Sequence, residues 1–201
     1  MSGKLCVGLA CSPRREGNTA LLLERAAETM RSYNVDTEIY RLADIDFSPC
    51  MACEGCSATG RCVIDDGAMP LYQRILKAEI FIMAAPVFSM GICAHAKMFI
   101  DRAQQFWAAK YLLGRPVVED EHFRRSRRGI FISCAGTRID GVFEGPVRVA
   151  GYFFKMLDIR LAGTYCYPGV DGRGDILSDH AALDEIREAS INLLGADKHA
   201  L

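Results

Sequence analysis

The chain has almost no net charge, no long apolar run, few histidines and a single tryptophan. Each shortage removes a class of function. A formal charge of −1, from 24 Lys+Arg against 25 Asp+Glu, supplies no basic field to attract nucleic acid. No apolar stretch reaches the ~18 residues of a membrane span. The apolar run from Leu5 to Ala10 is shorter than a secretory core of roughly 7–15 residues. It reads as a buried strand, and the expectation is a cytoplasmic protein with no membrane partner. His95, His122, His180 and His199 fall at no metal-ligand spacing, and no Ser/His/Asp arrangement stands out. Neither G-K-[ST] nor G-x-G-x-x-G occurs, which excludes the P-loop and dinucleotide fingerprints. With side-chain catalysis so poorly represented, the chemistry is expected to rest on cofactors.

Cysteine is not short: there are nine. Cys6, Cys11, Cys93, Cys134 and Cys166 are scattered among apolar or small residues, as small hydrophobes in a reducing compartment. The other four, Cys50, Cys53, Cys56 and Cys62, are spaced C-x2-C-x2-C-x5-C and interleaved with Gly55, Ser57, Ala58, Thr59 and Gly60. Such a small, flexible segment can wrap an inorganic core and aim several thiolates inward. Three cysteines at two-residue gaps and a fourth further on suit a [4Fe–4S] cluster, and bacterial ferredoxins open their cysteine run similarly. Zinc sites more often split into two C-x2-C pairs a dozen or more residues apart, and a redox C-x-x-C leaves two cysteines unused. Structural zinc, or ordinary reduced thiols in an empty loop, are the alternatives.

Along the 201 residues, strand and helix signals alternate. Strands are expected at Leu5 to Ala10, Val35 to Leu42, Glu79 to Ala85, Gly129 to Cys134 and Arg160 to Tyr167. Helices are expected around Leu21 to Met30, Met69 to Lys77 (capped by Asp65 or Asp66), Ala94 to Tyr111, Gly145 to Leu157 and Asp179 to Leu194. Apolar strands alternating with helices imply one α/β domain, a doubly wound parallel sheet of five strands with ligands beyond the strands' carboxyl ends.

The loop after the first strand is Cys11-Ser12-Pro13-Arg14-Arg15-Glu16-Gly17-Asn18-Thr19. Hydroxyls, a flexible glycine and two arginines at a helix N-terminus make a phosphate cradle. A turn with a Ser or Asn cap is the plainer reading.

S-P-R-x-x-G-N-T, the four-cysteine loop, Ala85-Pro86-Val87-Phe88 and Lys97-Met98-Phe99-Ile100-Asp101-Arg102 occur in that order. Together they resemble the iron–sulfur flavoproteins, in the NAD(P)H-dependent FMN reductase branch of the flavodoxin-like fold. The likeness covers residues 4–102 and continues loosely through Val170-Asp171-Gly172-Arg173-Gly174-Asp175. It implies one flavodoxin-like FMN-binding domain over residues 1–201, with a cluster loop at 45–67. Ser12, Arg14, Gly17, Asn18 and Thr19 would hold the FMN phosphate. Pro86, Val87, Phe88, Ser89, Met90 and Gly91 would line ribityl and isoalloxazine. Cys134, Ala135, Gly136 and Thr137 would approach the other edge of the ring. The resemblance also implies a homodimer or homotetramer.

The segment 111–128 exceeds what a minimal domain of this kind needs. It holds Glu119-Asp120-Glu121 and then Arg124, Arg125, Arg127 and Arg128. A solvated excursion or subunit contact is the plain reading; a docking patch for an acidic carrier or the extra phosphate of NADPH is the sharper one. Trp107, beside Phe106, suits the core or a subunit contact. The function expected is an FMN- and [4Fe–4S]-dependent oxidoreductase passing electrons between a redox carrier such as ferredoxin, or NAD(P)H, and a small acceptor. The alternatives are an NAD(P)H:flavin or quinone reductase with a structural or zinc-bound cysteine loop, and a non-catalytic redox sensor.

Overall fold

A computed structural model describes residues 3–195, so the ends of the expected 1–201 domain, with His199, lie outside the described residues. Five strands form one parallel sheet: β1 (Leu5–Ala10), β2 (Asp36–Arg41), β3 (Ile80–Ala84), β6 (Arg128–Ala135) and β7 (Arg160–Pro168). Their order is β2-β1-β3-β6-β7, with Val7 opposite Glu38 and Phe81, and Met83 opposite Phe131. This is the doubly wound order whose switch point lies between β1 and β3. A two-stranded hairpin, β4 (Val87–Phe88) and β5 (Gly91–Ile92), follows β3 and was not foreseen.

Strand alternation divides the core in two. Val7, Leu9, Phe81, Met83 and Phe131 face α2 (Ala68–Lys77), α3 (Ala94–Asp101) and α6 (Glu144–Met156). Cys6, Ala10, Ile80, Ile82, Ile130 and Ile132 face α1 (Asn18–Ser32) and α7 (His180–Gly195). On the first face Tyr72 stacks on Phe99 with ring centroids 4.2 Å apart and donates its hydroxyl to the Phe99 carbonyl. Phe99 and Phe153 meet edge-on at 6.0 Å, so α2, α3 and α6 share one aromatic joint. Gly129 occupies a close approach: a Cβ there would sit 1.8 Å from the Phe81 carbonyl oxygen.

Two expectations need correction. The single helix Ala94 to Tyr111 is instead α3, a break at Arg102–Ala103, α4 (Gln104–Trp107) and a widened π-helical turn, Ala108–Leu112. At the break, Arg102 and Ala103 donate to Phe99 and Ile100, three residues back. That tightening turns Arg102 inward, where it is 1% exposed.

The arginine run is the second. Arg124 and Arg125 lie on the short helix α5 (Glu121–Ser126), which the Asp120 carboxylate caps by accepting from Phe123 N–H at 3.0 Å. Arg127 and Arg128 are buried and belong to no exposed patch. Arg127 donates to the carbonyls of Ile75 (2.7 Å), Ala78 (3.0 Å) and Leu157. Arg128 donates to those of Leu193 and Ser126, both at 2.6 Å, and to the Glu79 carboxylate at 3.1 Å. The two guanidiniums thus serve carbonyls at the C-terminal ends of α2, α6 and α7, groups that helix geometry leaves without intrahelical donors. Burial lowers the Arg127 pKa to about 10, with the Asp158 carboxylate opposing.

Candidate functional site

Loops leaving the carboxyl ends of β1, β3 and β6 converge on one cavity of about 90 Å³. Ser12, Arg14, Gly17, Asn18 and Thr19 line it with Pro86, Val87, Phe88, Cys134 and Gly136. Ser89 and Met90 form the adjoining hairpin turn and Gly91 opens β5, while Ala135 and Thr137 flank the lining residues without joining them. Val170 and Asp171 complete the wall.

The first turn of α1 is prepared for an anion. Its N-cap, Gly17, offers no side-chain acceptor, and no acidic residue lies in the first turn. The free N–H groups and the dipole's positive end therefore face the cavity region unopposed. Ser12 Oγ accepts from Arg14 N–H at 3.1 Å and folds the loop back. Arg14 Nη1 donates to the Asp171 carbonyl at 3.3 Å. The Asn18 amide is fully engaged: Nδ2 donates to the carbonyls of Gly172 (2.9 Å) and Val170 (3.3 Å), and Oδ1 accepts from Ile176 N–H at 3.3 Å. The 170–176 turn is thereby tied to the cradle.

In the hairpin, Ser89 and Met90 have φ of 49° and 66°. Two positive values suit a tight hairpin turn, but side chains there store strain of about 1–3 kcal/mol each. The turn leaves Phe88 and Met90 exposed beside the cavity. Burial, and then Cys166, pushes the Cys134 thiol up to about 12, so it stays neutral near pH 7.

The second centre is the loop between β2 and α2. Cys50, Cys53, Cys56 and Cys62 line a cavity of about 410 Å³ together with Asp101, Arg102, Gln104 and Gln105. Burial first, and then the thiols of Cys62, Cys50 and Cys53, pushes the Cys56 thiol above its ordinary value. Cys56 thus lies within reach of the other three cysteines' fields. Among the described residues, no three His, Cys, Asp or Glu side chains are grouped to hold a single metal ion. All nine cysteines are free.

Supports of this loop escaped the sequence reading. Gln105 Oε1 accepts from Cys62 N–H at 3.2 Å, and Arg115 Nη2 donates to the Thr59 carbonyl at 2.8 Å. Gly60 (φ 72°) lies so close to the π-helical turn that a Cβ would stand 3.1 Å from Ala109 Cβ. Segment 111–128 therefore begins as a brace for the cysteine loop. At the α2 end the N-cap is Gly67, which has no side chain to cap with. Asp66 Oδ1, one residue earlier, accepts from Ala68 N–H at 3.1 Å, so the acid expected at Asp65 or Asp66 serves the helix start from just outside the cap. Burial pushes the Asp66 carboxyl up, but its bonds from Arg102, Ser48 N–H and Ala68 N–H outweigh it and hold it below the ordinary value.

A sequence model of the NADPH-dependent FMN reductases matches residues 5–142. An iron–sulfur flavoprotein of Methanocaldococcus jannaschii is 35% identical over 98 residues, 49% of this chain and 51% of that protein. Another, of Archaeoglobus fulgidus, is 30% identical over 137 residues, 68% of this chain and 65% of that one. The chain thus spans about half to two thirds of the length of these curated relatives. A solved NAD(P)H:quinone oxidoreductase from Methanothermobacter marburgensis superposes with a TM-score of 0.68 at 19% identity, covering 96% of this chain and 98% of that one, which supports the flavodoxin-like fold. No helix among the described residues is long and apolar enough to cross a membrane.

Proposed function

The chain belongs to the NADPH-dependent FMN reductase family, and from that premise we propose that it is an FMN-dependent oxidoreductase that also assembles a [4Fe–4S] cluster. It would pass electrons between NAD(P)H or a redox carrier such as ferredoxin and a small acceptor. The observation that supports this reading best is the pairing of two seats on the loops beyond the strands' carboxyl ends. One is an uncapped helix N-terminus ringed by Ser12, Arg14, Gly17, Asn18 and Thr19. The other is a cavity ringed by four thiols. The donor sets fit their groups: N–H dipoles and a guanidinium for a phosphate dianion, and soft sulfur donors for an iron–sulfur core.

When bound, FMN supplies two- or one-electron chemistry and the cluster one-electron chemistry, so the pair can connect the two. The chain's own residues have separate duties. Gly17 and the α1 N-terminus would bind the phosphate. The β4–β5 hairpin and Gly136 would bound the ring, with Phe88 and Met90 excluding water from one side. Cys50, Cys53, Cys56 and Cys62 would hold the cluster, and nine free thiols fit a reducing, cytoplasmic setting. A homodimer or homotetramer belongs to the same reading.

The test is anaerobic preparation followed by iron, sulfide and flavin assay and by turnover with NAD(P)H. About four iron and four sulfide per chain, with FMN, are expected. FMN with stoichiometric zinc, and no iron uptake on reconstitution, would identify a flavin or quinone reductase with a structural cysteine loop. Redox-dependent partner binding without turnover would identify a sensor.

A further inference from the structure

We propose that Arg102 is the positioning residue of the cysteine loop: one buried guanidinium clasps the loop's two stems and places positive charge beside the four thiols. The inference rests on the reading that those thiols hold an inorganic cluster.

Arg102 is presented by the break between α3 and α4. Nη1 donates to the Ser48 carbonyl at 2.8 Å and the Asp66 carboxylate at 2.7 Å, and Nη2 donates to the Ile64 carbonyl at 2.9 Å. Ser48 precedes the first cysteine of the loop; Ile64 and Asp66 follow the last. The stems are also joined directly, since Ser48 N–H donates to the Asp66 carboxylate at 2.9 Å. A planar fork reaches all three acceptors at once, a geometry that a lysine cannot reproduce. Arg102 lines the cysteine cavity next to Gln105. Its Nε is buried and has no hydrogen-bond partner among the described residues. A buried donor without a partner on the wall of a thiol-lined cavity is suited to an acceptor that arrives with the occupant. Four thiolates around a cluster carry negative charge, and Arg102 supplies a fixed counter-charge. Groups of this kind, outside the ligands themselves, set ligand orientation and cluster potential.

The test compares the parent with Arg102→Met and Arg102→Lys, all prepared anaerobically. It measures iron and sulfide content, cluster midpoint potential, FMN dissociation constant and, in metal-free protein, hydrogen exchange at the Ser48, Cys62 and Gly67 amides. Arg102→Met should weaken iron retention by ~10–100-fold, the usual loss for an outer-shell partner. It should speed exchange at those amides and leave the FMN constant within about twofold, as for independent sites. Any cluster that does form should have a lower potential. Arg102→Lys, with charge but no fork, should keep the potential nearer the parent's yet still loosen the stems. Iron content and potential equal to the parent's in Arg102→Met would overturn the proposal, as would unchanged exchange. A parent that takes up no iron would instead overturn the cofactor reading, and the exchange comparison would still decide the clasp. If Arg102→Met loses FMN through misfolding, Asp66→Asn replaces it, with the same faster exchange expected and unchanged exchange again decisive.

Discussion

Asn18 shows how a residue can belong to a site without spending its side chain on the ligand. Its amide is satisfied by residues more than 150 positions away, while the N–H groups of the turn it opens remain available to an anion. Asn18→Asp replaces a two-hydrogen donor with an acceptor facing the Val170 and Gly172 carbonyls. Leaving these groups unmatched should cost about 1–3 kcal/mol in urea unfolding, and the added carboxylate should weaken FMN far more than riboflavin, which has no phosphate. Asn18→Ala should lower stability comparably but weaken the two flavins equally. Equal losses of FMN and riboflavin in Asn18→Asp would mean that no phosphate lies near this turn. Residue type and place after a strand were enough to mark Ser12 to Thr19 as a candidate cradle. The 170–176 turn, seen only as a loose likeness, gave no sign that it would fasten Asn18.

Among the elements, segment 111–128 was least legible, and the reason is chemical. Arg127 and Arg128 answer to main-chain carbonyls at the ends of α2, α6 and α7, which leave no trace in side-chain pattern. Four arginines in five positions therefore read as one solvated run, although two of them are core residues. The break at Arg102 was hidden for the same reason, since two of its three acceptor residues are reached through carbonyls. Strands were legible because short apolar or alternating runs repeat between helical signals, and each appears within a residue or two of its expected ends. The contrast within the arginine run is measurable. Arg127→Met leaves three carbonyls without that donor and should cost at least about 3 kcal/mol in the urea midpoint of metal-free protein. Arg125→Glu, which disturbs an exposed pairing with Glu121, should stay within about 0.5 kcal/mol. Similar costs for both would place the two arginines in similar surroundings, against their burial.

For the molecule entire, the expected parallel sheet, the cradle at its switch point and the placement of the cysteine loop after β2 all follow from the order of strand and helix signals, whereas the loop's supports had to be seen. Those supports have a consequence for how the protein could have been assembled. The chain enters and leaves the loop at a single point: Gly67 N–H donates to the Asp46 carbonyl at 3.1 Å, and Ser48 N–H reaches the Asp66 carboxylate. Because closing a loop depends only weakly on its length, about 0.6 kcal/mol per doubling, such a segment can be cut out at little cost to its host. Joining Ser48 to Asp66 through a short glycine-serine turn should give a protein that melts cooperatively, retains FMN and takes up no iron. A truncated chain that fails to fold would make the segment part of the core. On the proposed function, the cysteine loop is then a detachable cassette: the flavin site would stand without it, and the cluster's share of the electron transfer would be an accessory removable in one deletion.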